Sequence, residues 1–171
     1  HAETEYNVLG LFNSNPKKDT NLTKKGISQA KKLAKKLKSE DLDLIFVSEL
    51  IRTWQTAEII NQFHGVPVIA DARLNDIRSG FDDLPVKQYS MLKSSSPDPF
   101  EFCISGGESP HDVYNRTLLF IDYLKTRPES SVLIITSSHN AKHFFAISRQ
   151  IDPRRMPRSA ISNATFFSFE L

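Results

Sequence analysis

Three short stretches of this 171-residue chain hold side chains that could do chemistry together. The first is His1-Ala2-Glu3-Thr4, with Asn7 close behind. The second is Ser48-Glu49-Leu50-Ile51-Arg52, and the third is Ser138-His139-Asn140. A neutral imidazole is a competent nucleophile when neighbouring groups position it. An arginine presents a planar fork of N–H donors that matches the oxygens of a phosphate. A second histidine, once protonated, adds another cation. Gathered at one point, such a group suits phosphoryl transfer, where positioning and positive charge matter more than covalent assistance. Taken singly, each residue has a duller explanation. His1 could be the remnant of a tag, Arg52 an ion-pair partner at a helix start, and His139 a structural histidine.

What separates these readings is whether the surrounding elements bring the three stretches to one place. Residues 1–20 show no sustained period, and Gly10 and the Asn13-Ser14-Asn15-Pro16 cluster read as a loop. Thr23 can cap a helix in which Ile27, Ala30, Leu33, Ala34 and Leu37 recur at helical spacing. Asp43 to Ser48 is a short apolar run, as expected of a strand buried on both faces of a parallel sheet. Glu49 to Phe63 reads as a helix whose buried side draws on Trp54, Ala57 and either Ile59 or Ile60, and Gly65 ends it. Val66 to Ala70 is a second strand, placed at an edge or a strand start by Pro67. Ser109 to Lys125 predicts a helix with Pro110 in its first turn and Val113, Leu118 or Leu119, Ile121 and Leu124 inward. Ser131 to Ser138 is the most strand-like run and is expected at the centre of the sheet. A helix over Ala141 to Gln150, a basic loop over Asp152 to Arg158 and a last strand over Ala164 to Leu171 complete the chain.

Strands alternating with helices give an α/β domain, a three-layer sandwich with a mostly parallel central sheet flanked by helices. Residues 1–171 are expected to form one domain, with 76–107 as an excursion over the edge that carries the site. In open α/β sheets ligands bind beyond the carboxyl ends of the strands. The first strand runs into Ser48 and Arg52 and the third into His139, so parallel neighbours would bring both cations to one edge.

Composition excludes several classes. With 39% hydrophobic and 25% charged residues, the chain is ordinary globular protein rather than disordered. A net charge of +2 gives no global drive toward nucleic acid or membrane. The lysines at 24, 25, 31, 32, 35, 36 and 38 read as the solvated face of an amphipathic helix, with no aromatics interleaved for stacking. The single cysteine, Cys103, excludes an internal disulfide and a cysteine-rich metal site. A cytoplasmic location is expected, with neither a nucleic-acid nor a membrane partner.

At this point the residues carry a resemblance. His1-Ala2-Glu3-Thr4-Glu5-Tyr6-Asn7 resembles the Arg-His-Gly-Glu-Thr motif, with its downstream Asn, of the histidine phosphatase superfamily, in its phosphoglycerate-mutase-like branch. Leu22-Thr23-Lys24-Lys25-Gly26 with Gln29-Ala30 is similar to the family's Leu-Thr-x-x-Gly-x-x-Gln-Ala. Ser48-Glu49-Leu50-Ile51-Arg52 with Gln55-Thr56-Ala57 is similar to its Ser-x-Leu-x-Arg-x-x-x-Thr-Ala. Gly107-Glu108-Ser109 and Ser138-His139 follow in the same order.

The resemblance implies a phosphatase acting on a small phosphorylated metabolite through a phosphohistidine on His1. Arg52 and His139 would neutralise the phosphoryl oxygens, Asn7 would add a hydrogen bond, and Asn140 and Glu108 are further candidates for substrate binding. No metal and no cofactor are called for, and activity is expected to persist in chelator. The proton donor to the leaving group would be Asp76, with Asp83 in reserve. Asp76 is one methylene shorter than the family's Glu, a difference of about 1.5 Å. Ala2 and Asn140 stand where the family has glycine. The buried core strand that precedes the motif in the family, with its arginine, is expected to be missing from this sequence, which begins at the histidine. A mutase of the same family is the near alternative, and a non-catalytic phosphate-binding or regulatory module with the same fold is the other. The sequence leaves the substrate and the oligomeric state open.

Overall fold

Leu44–Val47 (β1) is buried at all four positions because it lies between two other strands and between two layers of helices. In the computed structural model, which describes residues 1–18, 20–156 and 161–170, β1 pairs in parallel with Val68–Ala70 (β2) on one side. Val132–Ile135 (β3) pairs in parallel with it on the other, giving the order β2-β1-β3. Successive side chains of a strand point to opposite faces. Ile45 and Val47 accordingly pack with Leu33, Ala34 and Leu37 of Lys24–Leu37 (α2) and with Ala57 and Ile60 of Ile51–Asn61 (α3). Leu44 and Phe46 face the other way, against Phe120, Ile121 and Leu124 of Pro110–Leu124 (α5) and Phe144 of Ser138–Ser148 (α6). The chain is thus α/β in three layers, as its alternation of strands and helices implies.

Several expectations need correction. Residues 1–20 are not loop throughout: Glu5–Leu9 forms a short helix (α1), started by a capping box in which Thr4 and Asn7 exchange bonds. Gly10 ends it in the left-handed conformation, at φ 67°. Five residues are too few for a hydrophobic period to register. Among the described residues β3 is not flanked on both sides. β1 holds the middle place, and β3 lies at the end of the three-stranded ladder. An apolar run signals burial but does not say which strands it pairs with. Residues 164–170 are not a strand either, and Ala164 has a positive φ of 54°. The alternation of Phe167 and Phe169 there reflects packing on the face that holds Phe144 and Phe46, without a ladder. Of the basic loop, Pro153–Arg155 is a 3-10 turn, while Pro157 and Arg158, like Leu171, lie outside the described residues.

Residues 76–107 contain a helix that sequence periodicity did not reveal, Val86–Ser94 (α4). Its one buried residue is Tyr89, whose ring meets Phe12 edge-on at 5.0 Å, Phe102 at 5.5 Å and Phe81 at 5.9 Å. Ile77 and Val113 complete the cluster. The excursion therefore borrows Phe12 and Val113 from outside itself to anchor its ends. No helix among the described residues is long and apolar enough to cross a membrane.

Candidate active site

His1, Arg52, Asp76, Ser137 and His139 line a cleft at the carboxyl end of β3, with Tyr6 and Asn7 on its wall, and the cleft continues as a trough along β3 to Ser131. His1 is fixed there by its own main chain. Its nitrogen donates to Thr136 O just past β3 (3.1 Å), and its carbonyl accepts from Ala164 N (2.9 Å). The next residues are held to α2 and α3. Ala2 N donates to Thr56 Oγ1 (3.2 Å), Glu3 N to Gln29 Oε1 (2.9 Å), and Thr23 N to Glu3 O (3.0 Å). Gln55 Oε1 receives Leu22 N (2.9 Å). The Gln and Thr positions that stood out in the sequence thus tie the histidine-bearing segment to the helices.

The imidazole of His1 has its Nδ1 2.8 Å from Ala2 O. A carbonyl only accepts, so Nδ1 carries the proton of this contact. The Nε2 lone pair of the neutral ring is left for bonding to an electrophile. This is the tautomer a histidine nucleophile needs.

Arg52 is buried in the first turn of α3. Its Nη1 donates to Asn13 O (3.1 Å) and its Nη2 to Asp76 Oδ2 (3.0 Å). The other carboxylate oxygen, Oδ1, accepts from His139 Nδ1 (3.1 Å) and from Ile77 N (2.9 Å). Burial alone would raise the Asp76 carboxyl, but the His139 hydrogen bond and charge, reinforced by Arg52 and Ser137, reverse this. They hold it well below the usual carboxylate range. Asp76 is therefore ionised and held between the two side chains, Arg52 and His139, that sequence reading assigned to a phosphoryl group. His143, one turn beyond His139, adds no charge, because burial and the positive groups around it push it down to about 3.

The predicted site residues divide. His1, Arg52, Asp76, His139 and Asn7 are brought to the cleft. Asn7 Oδ1 accepts from Thr4 N (3.0 Å) and Asn163 Nδ2 (3.2 Å). Asn140 is not brought there. It is fully buried, and its Nδ2 donates to Asn75 O (3.0 Å) and Thr136 Oγ1 (2.9 Å). Glu108 binds scaffold as well, accepting from Arg78 N (3.0 Å) and Arg116 Nε (3.1 Å). The two are joined by Arg116, whose Nη1 also reaches Arg73 O (2.6 Å) and Asn140 Oδ1 (3.4 Å). Both are thus placed to position the turn before Asp76 rather than to touch a ligand. The reserve carboxylate, Asp83, accepts from Tyr6 Oη (2.5 Å) and pairs with Lys18 away from these two side chains. Sequence reasoning missed Arg116 and Asn13, and nothing in their spacing marks them: one lies on a helix and the other acts through its main chain.

The chain as a whole is similar to known proteins. The sequence model of the histidine phosphatase superfamily (branch 1) matches residues 1–171. Phosphoserine phosphatase 1 of Hydrogenobacter thermophilus is 31% identical over 143 residues, covering 80% of this chain and 67% of that protein. The Proteus mirabilis protein named "Probable phosphoglycerate mutase GpmB" is 32% identical over 143 residues, covering 80% of this chain and 66% of its own length. The chain thus spans about two thirds of the curated relatives it matches. Among solved structures, Bacillus stearothermophilus YhfR superposes with a TM-score of 0.82 at 25% identity, over 96% of this chain and 84% of that one.

Proposed function

The chain belongs to the histidine phosphatase superfamily, and on that premise we propose that it hydrolyses a small phosphomonoester through a phosphohistidine on His1. The observation that carries this reading is the Asp76 carboxylate seated between Arg52 Nη2 and His139 Nδ1 in the cleft that His1 lines. Two converging side chains hold an oxyanion there, and a phosphoryl group is an oxyanion of the same bidentate habit with more charge.

In the first step His1 Nε2 forms a bond to phosphorus as the bond from phosphorus to the leaving oxygen breaks. Arg52 and His139 follow the charge that spreads over the three remaining oxygens. In the second step water forms a bond to phosphorus, the P–N bond breaks, and inorganic phosphate leaves with His1 restored. Asp76 manages the protons. Once the phosphoryl group draws Arg52 and His139 toward itself, the carboxylate loses its two strongest donors and gains a dianion as neighbour. Both changes favour its protonated form. Having taken a proton from solvent as substrate binds, it can give that proton to the leaving alkoxide and recover one from the attacking water.

A mutase activity of the same site is the second reading, favoured by the likeness to the Proteus mirabilis protein. It predicts transfer to a second hydroxyl of the substrate instead of release of phosphate. Turnover of p-nitrophenyl phosphate tests the main reading. The wild-type chain is expected to release phosphate, and His1→Ala and Arg52→Ala each to lose at least a thousandfold in kcat/KM. A His1→Ala protein as active as wild type would sink it.

A further inference from the structure

Ser137 is the N-cap of α6, with extended backbone at φ −91° and ψ 169°. A serine at this position ordinarily turns its oxygen back to accept a first-turn N–H. The Ser137 side chain makes no such bond. It is 4% exposed, and among the described residues its Oγ has no hydrogen-bond partner. The groups around it are occupied elsewhere. Thr136 Oγ1 donates to Leu74 O (2.7 Å), and Ser138 Oγ accepts from Ile161 N (2.9 Å). Asp76 lies near enough for Ser137 to help keep it ionised, outside hydrogen-bond geometry, and already accepts from Arg52, His139 and Ile77. A buried hydroxyl left unpaired is costly. Ser137 is among the residues that line the cleft with His1, Arg52 and His139, and it stands beside the Asp76 carboxylate that Arg52 and His139 hold.

We propose that Ser137 Oγ–H is a further donor to the transferring phosphoryl group, bonding one of its three non-bridging oxygens alongside Arg52 and His139. The assignment rests on the phosphatase reading of the site and adds a neutral donor to its two cations. The position suits an oxyanion, because α6 begins at Ser137 and its leading N–H groups have no partner within the helix. A hydroxyl is also the right kind of group here. It adds no charge beside Arg52, and its proton can swing from the vicinity of Asp76 in the resting site to a phosphoryl oxygen in the loaded one.

Ser137→Ala in the full chain tests this, with the Tm read beside the activity. We expect an unchanged Tm, a kcat/KM on p-nitrophenyl phosphate lower by about ten- to a hundredfold, and orthovanadate binding, read by calorimetry, weakened by a similar factor. Equal kcat/KM and equal vanadate affinity in the two proteins would overturn the proposal. So would lost activity accompanied by a fallen Tm and unchanged vanadate affinity, which would make the serine part of the scaffold. A wild type that turns over nothing yet binds vanadate more tightly than Ser137→Ala would overturn the phosphatase reading while leaving the oxyanion contact in place. A wild type that neither turns over nor binds would remove both.

Discussion

Asp76 is the residue whose meaning changes most once its surroundings are seen. Sequence reasoning made it the proton donor, but a carboxyl held well below its usual range has no proton to give in the resting site. In the resting site it pairs with Arg52 and bonds His139 instead. That pairing has a signature in stability. A carboxylate depressed in the folded state stabilises the fold fully above its unfolded value of about 3.9, and the contribution is lost as pH falls toward the folded value. Asp76→Asn leaves the buried Arg52 guanidinium without its counter-ion and is expected to cost roughly 3–5 kcal/mol at neutral pH. In urea melts the gap between wild type and Asp76→Asn should narrow as pH falls below about 4. A gap that stays constant through acid would show that Asp76 is not held ionised by these two side chains.

At the scale of elements, the site depends on how closely α2 approaches the segment that carries His1. Gly26 makes this possible: a Cβ added there would lie 2.1 Å from the Glu3 carbonyl oxygen. That oxygen also accepts from Thr23 N, so it cannot retreat without losing a bond. Gly26→Ala is expected to cost about 1–3 kcal/mol. It should also lower kcat/KM by up to about a hundredfold, since displacements near 1 Å are felt on that scale in catalysis. A variant that melts and turns over like wild type would contradict this coupling. Much of the element layer was legible beforehand. The apolar period of α2, the run that became β1 and Pro67 at the edge strand β2 each report a local preference that burial then satisfies. The rest was not legible, for reasons the elements themselves show. α1 is held by side-chain exchange between Thr4 and Asn7, without a hydrophobic face. The pairing of β3 and the unladdered course of residues 164–170 are set by neighbours distant in sequence. Asn140 and Glu108 have the right chemistry for a ligand. Only the position of Arg116 between them turns both toward the scaffold.

Over the whole molecule, a three-layer fold converges five dispersed residues on one cleft, and the chemistry follows from where its charges stand. Main-chain bonds hold the His1 backbone in place, and its ring stands with Nδ1 against Ala2 O and Nε2 spare. Without that lone pair, the cations and Asp76 would make an oxyanion pocket and nothing more. The most direct measurement is therefore to quench the protein during turnover of a ³²P-labelled phosphomonoester and characterise the label it carries. We expect label on the wild-type chain that is labile in acid, stable in base, mapped to His1, and absent from His1→Ala. Turnover with no label on His1, or with a label that survives acid, would contradict the account.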